Sequence, residues 1–296
     1  MPTETPKSAT PSRWLPCPAP GIYPGIDFDT YTRWDALNHS TLKRIAQSPA
    51  HYQYHREHRT DCQTTSKRRG TAIHELLLEP ERFDRRVLLG PINESTGKCY
   101  GDTTKAWGEF EARNPGRMIL TEDEMDSMRS LLASVQSHPD LGPLLAAEGD
   151  CEVCIVWEES ITGLRCKARI DKRVRTSRGN IRLDLKSCLS ADDGALERSL
   201  VDYGYGTQDA FYARGCKALG LDDISIFAAL ETEQPHGIRV FRVGQDSAKA
   251  FDELVYGWLH RVSSCQQTGV WPGYDTGVMD VNAPLWWLKR YAEASE

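Results

Sequence analysis

The chain has 296 residues, of which 40% are hydrophobic and 26% are charged, and its formal net charge is −6 at pH 7. These values are typical of a globular protein with one large domain or two small ones. The acidic balance argues against a broad, non-specific coat for nucleic acid. It does not exclude a local basic channel, because net charge averages over the whole surface.

The sequence lacks the features of an exported or membrane protein. No apolar run approaches the length that spans a bilayer, and the first residues lack the apolar segment of a signal peptide. We therefore expect a cytoplasmic protein. Its nine cysteines are scattered, so in a reducing compartment we expect free thiols, many of them buried. Cys151 and Cys154 form a C-x-x-C pair, but no second pair stands at zinc-site spacing.

The N-terminal part of the chain is predicted to be helical after a disordered tail. Residues 1–20 are rich in Pro, Thr and Ser, which predicts disorder before a single domain over residues 21–296. Ser40–Ala46 suits a short helix with a serine cap, ended by Ser48 and Pro49. A polar run rich in His, Arg and Tyr follows this predicted helix.

Two further helices are predicted before the sheet. Gly70–Leu78 suits a helix that is stopped by Pro80. Residues 90–117 show weak periodicity, which predicts a long loop with one helical turn at most. Thr121 and Glu124 form a capping box, and apolar residues follow it at helical spacing.

The remaining chain alternates between strand and helix patterns. The predicted strands are Cys151–Trp157, Gly163–Val174, Ile181–Lys186, Ile224–Leu230 and Ile238–Val243. The predicted helices are Tyr205–Leu219, closed by Gly220, and the long amphipathic Asp246–Gln267. A helical N-terminal part followed by an αβββαβ order fits a mixed α/β domain.

The second predicted strand carries a charged face. Because side chains alternate along a strand, one face is apolar and the other presents three cations that lead to a carboxylate. These four residues are Arg165, Lys167, Arg169 and Asp171. The cations are candidates to guide DNA through its phosphates, together with Arg69 before the His74 helix. The alternative is an ordinary solvated face.

The third predicted strand shows the same alternation, with Asp184 and Lys186 on its polar face. A tight hairpin would bring Asp171 and Asp184 together, and two close carboxylates are tolerated best with a cation between them. An ammonium beside a Mg²⁺ site can activate water and stabilise charge on phosphate. The alternative is chance, because Asp-x-Lys is common on exposed strands.

Four other residues are candidates for a site at this hairpin. Gln208 and Tyr212 lie four apart on one face of the helix that follows the third strand, unless they are plain surface residues. His74 offers an imidazole ligand, or serves only as a structural histidine. Glu152 is either an extra carboxylate or an ordinary surface residue.

Taken in order, these motifs resemble the PD-(D/E)xK nuclease superfamily. The resemblance is closest to the RecB-like and RecE-like exonucleases of phages and prophages, the exodeoxyribonuclease VIII type. The motifs that carry it are Gly70…His74, Lys167-x-Arg169-Ile170-Asp171, Asp184-Leu185-Lys186 and Gln208…Tyr212. The segments Ser40–Pro49, Gly70–Pro80 and Trp271–Tyr274 also resemble this branch, so the similarity spans about residues 36–275. Ile170 stands where the superfamily has Pro, as is usual in this branch.

The resemblance implies a restriction-endonuclease-like core, a central mixed sheet flanked by helices, with Mg²⁺ as cofactor and Mn²⁺ as a substitute. It implies that the metal is bound by His74, Asp171, Asp184 and the Leu185 carbonyl. Lys186 would activate the attacking water, and Gln208 and Tyr212 would support the site or hold DNA. Near the C-terminus only Cys265 is present, so no iron–sulfur cluster is expected.

The activity that the resemblance implies is degradation of one strand from a duplex end, which yields single-stranded DNA for recombination. The implied partners are a single-strand annealing protein and further copies of the chain. Two alternatives stay open, since fold does not fix function. One is a structure-specific or single-strand endonuclease. The other is an inactive DNA-binding or phage interaction protein, against which the intact Asp171, Asp184 and Lys186 argue.

Overall fold

A six-stranded mixed sheet runs through the computed structural model, which describes residues 14–58, 65–177 and 179–293. The strands are β1 (Gly21–Tyr23), β2 (Val87–Leu89), β3 (Met118–Leu120), β4 (Gly149–Glu158), β5 (Arg165–Thr176), β6 (Gly179–Cys188), β7 (Ile224–Glu231) and β8 (Ile238–Phe241). The order in the sheet is β1-β4-β5-β6-β7-β8, with β6 and β7 parallel and the other neighbours antiparallel. β2 and β3 form a separate parallel pair.

Helices flank the sheet. They are α1 (Phe28–Arg33), α2 (His39–Leu42), α3 (Pro49–Glu57), α4 (Thr65–Leu78), α5 (Pro80–Arg86), α6 (Lys105–Arg113), α7 (Glu122–Ser137), α8 (Leu141–Ala146), α9 (Asp193–Asp202), α10 (Tyr205–Ala218), α11 (Gln245–Thr268) and α12 (Leu285–Glu293). A short 3-10 helix, Lys43–Ala46, follows α2. The predicted fold class, a mixed sheet flanked by helices, is therefore confirmed.

Two apolar clusters hold the sheet and helices together. The first joins β4 and β5 to α10 and α11, with Trp157, Phe211 and Leu259 at most 1% exposed. The second joins β6 and β7 to α4 and α7, and includes the buried Ile73 and Leu183. Burying side chains of this size contributes roughly 1.5–3 kcal/mol each, so these clusters supply the main stabilisation of the fold.

Close packing places α10 against the sheet. A Cβ atom on Gly215 would lie 2.8 Å from the ring of Trp157, and one on Gly206 would overlap Phe251 of α11. Only glycine allows the helix backbone to approach these rings so closely. The helix that carries Gln208 and Tyr212 is therefore held at short range from β4 and α11.

The predicted strands and the long C-terminal helix are present, with ends shifted by a few residues. The capping box at Thr121 is confirmed, because its hydroxyl accepts from the Glu124 amide and the Glu124 carboxylate accepts from the Thr121 amide. The helix predicted over Ser40–Ala46 corresponds to α2 and the 3-10 helix, but its N-cap differs from the prediction. Its cap is Asn38, whose side chain accepts from the Thr41 amide at 3.0 Å, and not Ser40.

Helices α3, α6 and α9 also differ from the predictions. Ser48 and Pro49 begin helix α3, with Ser48 as N-cap and the proline in its first turn, where a missing N–H costs nothing. The predicted loop over residues 90–117 contains the nine-residue helix α6, capped by Thr104. Helix α9 follows β6 and has no buried residue, so it leaves no apolar stripe in the sequence.

Part of the predicted disordered tail is folded and packs on the sheet. Residues 14–20 belong to the folded part, since Leu15 pairs with Trp34 and Cys17 packs beside it, whereas residues 1–13 lie outside the described residues. Among the described helices, none combines the length and apolar character needed to cross a membrane.

Candidate active site

The hairpin of β5 and β6 brings two aspartates together. Lys172 pairs with Leu183, and the next position on each strand is Asp171 and Asp184. The two aspartates lie just beyond the end of the paired ladder, close enough for the charge of Asp184 to raise the pKa of Asp171. Both carboxylates are shielded from water, with the Asp171 side chain 16% exposed and that of Asp184 7% exposed.

Lys186, Asp184 and Gln208 form a closed triangle. The Lys186 ammonium lies 2.5 Å from Asp184 Oδ1 and donates to Gln208 Oε1 at 2.9 Å. The Gln208 amide in turn donates to Asp184 Oδ2 at 2.7 Å. The two carboxylate oxygens thus face different donors, and Gln208 links α10 to β6. The prediction that α10 projects over this hairpin is correct for Gln208.

His74 of α4 approaches the hairpin from another side. Its Nε2 lies 3.1 Å from the Leu185 carbonyl, and its Nδ1 lies 3.6 Å from Asp171 Oδ2. Because a carbonyl only accepts, Nε2 is the donor in the contact with Leu185, and Nδ1 faces Asp171. The Leu185 amide also donates to Asp171 Oδ2 at 2.7 Å. A single residue of β6 therefore orients both groups.

Glu152 of β4 completes a set of three potential ligands. One ligand atom each from His74, Glu152 and Asp171 lies within 4.8 Å of the others. Glu152 adopts a φ of 55°, which non-glycine residues rarely adopt and which is found at functional sites. The sequence left open whether Glu152 is an extra carboxylate or a surface residue, because its place depends on strand register. Cys151 pairs with Lys172 and Val153 with Ile170, which sets Glu152 opposite Asp171.

The electrostatics of this site favour a bound cation. Burial, and then the charge of Asp184, raise the pKa of Asp171 to about 7, although His74 and Lys186 act in the opposite sense. Burial alone would lower the pKa of Lys186, but Asp184 and Asp171 outweigh it and raise that pKa. The lysine is therefore an ammonium at neutral pH. Lys186 faces Asp184 and Arg169 faces Glu152, whereas Asp171 has no lysine or arginine partner among the described residues, so the site suits a further cation.

The donor set fits Mg²⁺ or Mn²⁺. These ions bind carboxylate oxygens and waters, and imidazole is a competent additional ligand. Among the described residues, His74, Glu152 and Asp171 are the His, Cys, Asp and Glu side chains grouped closely enough to hold an ion. Asp184 lies next to this group but has the Lys186 ammonium against it.

Tyr212 lies one turn beyond Gln208 and is half-buried. It packs against the first apolar cluster, with the Arg182 guanidinium 5.7 Å from its ring centre. Burial raises the pKa of Tyr212 well above its ordinary value, and the charges of Asp184 and Asp171 contribute to this. Tyr212 is therefore a neutral phenol close to the two aspartates.

The predicted cationic face of β5 is covered by the N-terminal segment, which corrects its assignment as an open DNA contact. Lys167 is 1% exposed, and its ammonium donates to the carbonyls of Tyr31, Thr32 and Trp34. The alternation that marks this face as polar carries no information about residues that fold over it. Lys167 anchors the segment around α1 and cannot reach a phosphate.

The other predicted DNA contacts are engaged within the fold. Arg169 pairs with Glu152 and donates to the Ile26 carbonyl at 2.7 Å. Arg165 donates to the Pro18 carbonyl at 2.9 Å and lies 3.4 Å from Glu158. The Arg69 guanidinium, which is 31% exposed, donates to the Glu233 carboxylate and the Thr232 carbonyl. These arginines have structural partners, so the sequence alone overstated them as a DNA channel.

A solved structure shares this fold. The crystal structure of a protein from Eubacterium rectale, described as a "putative exonuclease", matches 86% of this chain and 92% of its own, with a TM-score of 0.55 and 12% identity. The crystal structure of SSO0001 covers 47% of this chain and 68% of its own, with a TM-score of 0.27 and 14% identity. No curated protein sequence shows significant similarity to the chain.

The family assignment rests on most of the chain. Residues 38–281 match the model of a family described as a PDDEXK-like domain of unknown function (DUF3799). The matched range contains His74, Glu152, Asp171, Asp184 and Lys186. The chain therefore belongs to this family of PDDEXK-like domains.

Proposed function

We propose that this chain is a metal-dependent deoxyribonuclease that degrades one strand from duplex DNA ends. The observation that carries the proposal is the cluster in which Lys186 and Gln208 hold Asp184 beside Asp171 and His74. A structural ion pair would not require a second carboxylate whose ionisation the site itself opposes. The PDDEXK-like family supports hydrolysis of a phosphodiester.

The chain's own side chains supply most of the chemistry in this proposal. His74, Glu152 and Asp171 would hold a Mg²⁺ or Mn²⁺ ion, with Asp184 and the Leu185 carbonyl beside it. When bound, such an ion lowers the pKa of water and withdraws charge from phosphate oxygens. The Lys186 ammonium, held by Asp184 and Gln208, would stabilise negative charge beside the ion.

The preference for duplex ends is more specific than the nuclease activity itself. It rests on the sequence resemblance and on the name of the Eubacterium rectale neighbour, whose 12% identity shows a shared fold alone. On the same basis we propose that the product is single-stranded DNA for recombination. The proposed partners are an annealing protein and further copies of the chain. An endonuclease on this fold is the second candidate, because the site chemistry is the same for both.

Substrates of different DNA topology distinguish the exonuclease from the endonuclease. The purified protein is incubated with Mg²⁺ and equal amounts of linear duplex, covalently closed circular and single-stranded DNA. Loss of the linear duplex alone, with mononucleotides or short oligonucleotides as products, is the expected result. Cutting of closed circles would replace the exonuclease proposal by the endonuclease. No cleavage of any substrate with Mg²⁺ or Mn²⁺ would reject both.

Glu152 provides a specific test of the metal site. Glu152→Gln is expected to raise the Mn²⁺ concentration for half-maximal cleavage by at least about tenfold, because even indirect ligand supports cost that much. The matched control is Glu158→Gln on the same strand, which pairs with Arg165 as Glu152 pairs with Arg169. A metal titration of cleavage measures both. Equal metal requirements for the two variants would remove Glu152 from the site.

A further inference from the structure

Helix α3 presents an aromatic surface outside the candidate active site. His51, Tyr54, His55 and His58 recur at spacings of three and four residues, so they share one side of the helix and its C-cap. Tyr54 is 60% exposed and stacks on His58, with ring centres 4.4 Å apart and 18° between planes. His51 contacts Tyr274, which is 69% exposed, at 5.4 Å. We call these five residues the α3 aromatic surface.

This exposure is not a consequence of poor packing of α3. The same helix buries Tyr52 completely, and its ring stacks on Trp271 with centres 5.3 Å apart. The helix is therefore fixed by one aromatic side chain while it turns others outward. Tyr54 also meets His55 edge-on at 6.0 Å, which fixes the ring without covering it. Exposed and pre-oriented rings of this kind are suited to stacking with a ligand.

Basic side chains connect this surface to the candidate active site. The exposed Arg44 and the half-buried Lys43 lie on the 3-10 helix that precedes α3. Burial lowers the pKa of Lys43, and the nearby charges of Arg44 and Lys186 add to this effect. Burial, followed by Arg44 and His51, lowers the pKa of His55. Direct contacts link the two places: the Lys43 ammonium donates to the Tyr203 carbonyl at 3.3 Å, the Tyr203 ring packs on Tyr205 at 5.7 Å, and the Lys186 ammonium lies 4.7 Å from the Tyr205 ring centre.

We propose that the α3 aromatic surface binds single-stranded DNA and holds the strand that leaves the candidate active site. Every base has a flat face that stacks on an aromatic ring, and Arg and Lys contact the phosphates between bases, so such surfaces bind without sequence preference. The course of the strand rests on the proposed nuclease function. The binding itself requires no cleavage, so the two are tested separately.

The first test measures binding in EDTA, where cleavage plays no part. Fluorescence anisotropy of a labelled oligothymidylate compares wild type with Tyr54→Ala, which is expected to bind about fivefold more weakly, the lower end for loss of one base stack. The matched control is Tyr256→Ala on α11. Tyr256 is 40% exposed and also packs on a histidine four residues later, His260, at 4.3 Å. The control is expected to bind like wild type.

A second pair of measurements separates stacking from charge. An abasic oligonucleotide keeps every phosphate, so wild type and Tyr54→Ala are expected to bind it equally. Arg44→Gln is expected to reduce the slope of log affinity against log salt by about 0.7, the value for one lost contact to a single strand. If Tyr54→Ala binds oligothymidylate as tightly as wild type, or the Tyr256 control loses as much affinity, the proposal is overturned.

These results are distinguishable from failure of the proposed function. A protein without nuclease activity that still loses oligothymidylate affinity on Tyr54→Ala would support the binding surface and reject the nuclease. Conversely, a protein that cleaves linear duplex while Tyr54→Ala leaves affinity unchanged would reject the α3 aromatic surface and retain the nuclease.

Discussion

The variant Asp171→Asn is expected to abolish metal-dependent cleavage and, in the absence of metal, to make the protein more stable. An aspartate in an unfolded chain has a pKa near 4. Burial and Asp184 raise the pKa of Asp171 to about 7 in the fold, so its ionised form opposes folding. Asparagine removes that charge and keeps an oxygen that accepts from the Leu185 amide. The gain is up to about 4 kcal/mol.

The sign of this effect sets its pH dependence. Because the folded pKa lies above the unfolded one, ionisation of Asp171 costs nothing below about pH 4. The destabilisation of the fold grows as pH rises towards 7 and is constant above that pH. Urea unfolding in EDTA is therefore expected to show a larger advantage of Asp171→Asn at pH 8 than at pH 5. Added Mg²⁺ is expected to stabilise the wild type and leave the variant unchanged.

Asp223 supplies a control of opposite sign. Its fully buried carboxylate receives two hydrogen bonds from Arg173, at 2.6 and 2.8 Å. Asp223→Asn leaves a buried arginine without its counter-charge and is expected to lose about 3–5 kcal/mol. If Asp171→Asn also lost stability at pH 8, the Asp171 carboxylate would stabilise the fold without metal. That result would contradict its assignment to a cation-binding site.

Lys186→Ala is expected to lower the cleavage rate by about 10²–10³-fold, the usual loss when one donor to the transition state is removed. The ammonium is held by Asp184 at 2.5 Å and by Gln208 at 2.9 Å, and alanine removes it while Gln208 still donates to Asp184. Single-turnover cleavage at saturating Mg²⁺ measures the effect. A cooperative melting transition, measured alongside, shows that the variant is folded.

Lys217→Ala is the matched control for this prediction. Lys217 is an exposed lysine near the end of α10, the helix that also carries Gln208. Its loss is expected to leave the cleavage rate unchanged. A folded Lys186→Ala protein that cleaves within about threefold of wild type would contradict a direct role for the ammonium, because such a loss is far below that of one donor.

The candidate site is visible in the sequence where it depends on local periodicity. Alternation along β6 sets Asp184 and Lys186 on one side, and the hairpin brings Asp171 near Asp184, one position beyond the paired Lys172 and Leu183. Gln208 follows from helical spacing and from the order of elements. Each of these relations links residues through one strand, one hairpin or one helix, and a single sequence reports such relations directly.

The parts that sequence analysis left open or assigned wrongly depend on contacts between distant segments. Glu152 joins His74 and Asp171 only through the register of β4 on β5. Lys167 lies on a polar strand face, yet the carbonyls of Tyr31 and Trp34 close over it. No local pattern encodes that covering, because the covering segment lies more than one hundred residues away in the chain.

Helix boundaries failed for a different reason. Ser48 and Pro49 both end one helical segment and begin another, and the sequence signals for the two events are the same. Helix α6 is anchored mainly by Trp107, its one buried residue, so its apolar periodicity is weak. A helix that packs through one side chain lacks the repeated apolar spacing on which sequence prediction relies.

Cleavage of end-labelled linear duplex DNA by wild type and Asp184→Asn, in Mg²⁺, Mn²⁺ or EDTA, tests the central claim most directly. Asparagine keeps the size of Asp184 and can still pair with Gln208, so the variant isolates the carboxylate charge. We predict that wild type degrades the duplex with either metal and not in EDTA, and that Asp184→Asn is inert. Wild type that is inert with both metals, or Asp184→Asn as active as wild type, would contradict the account.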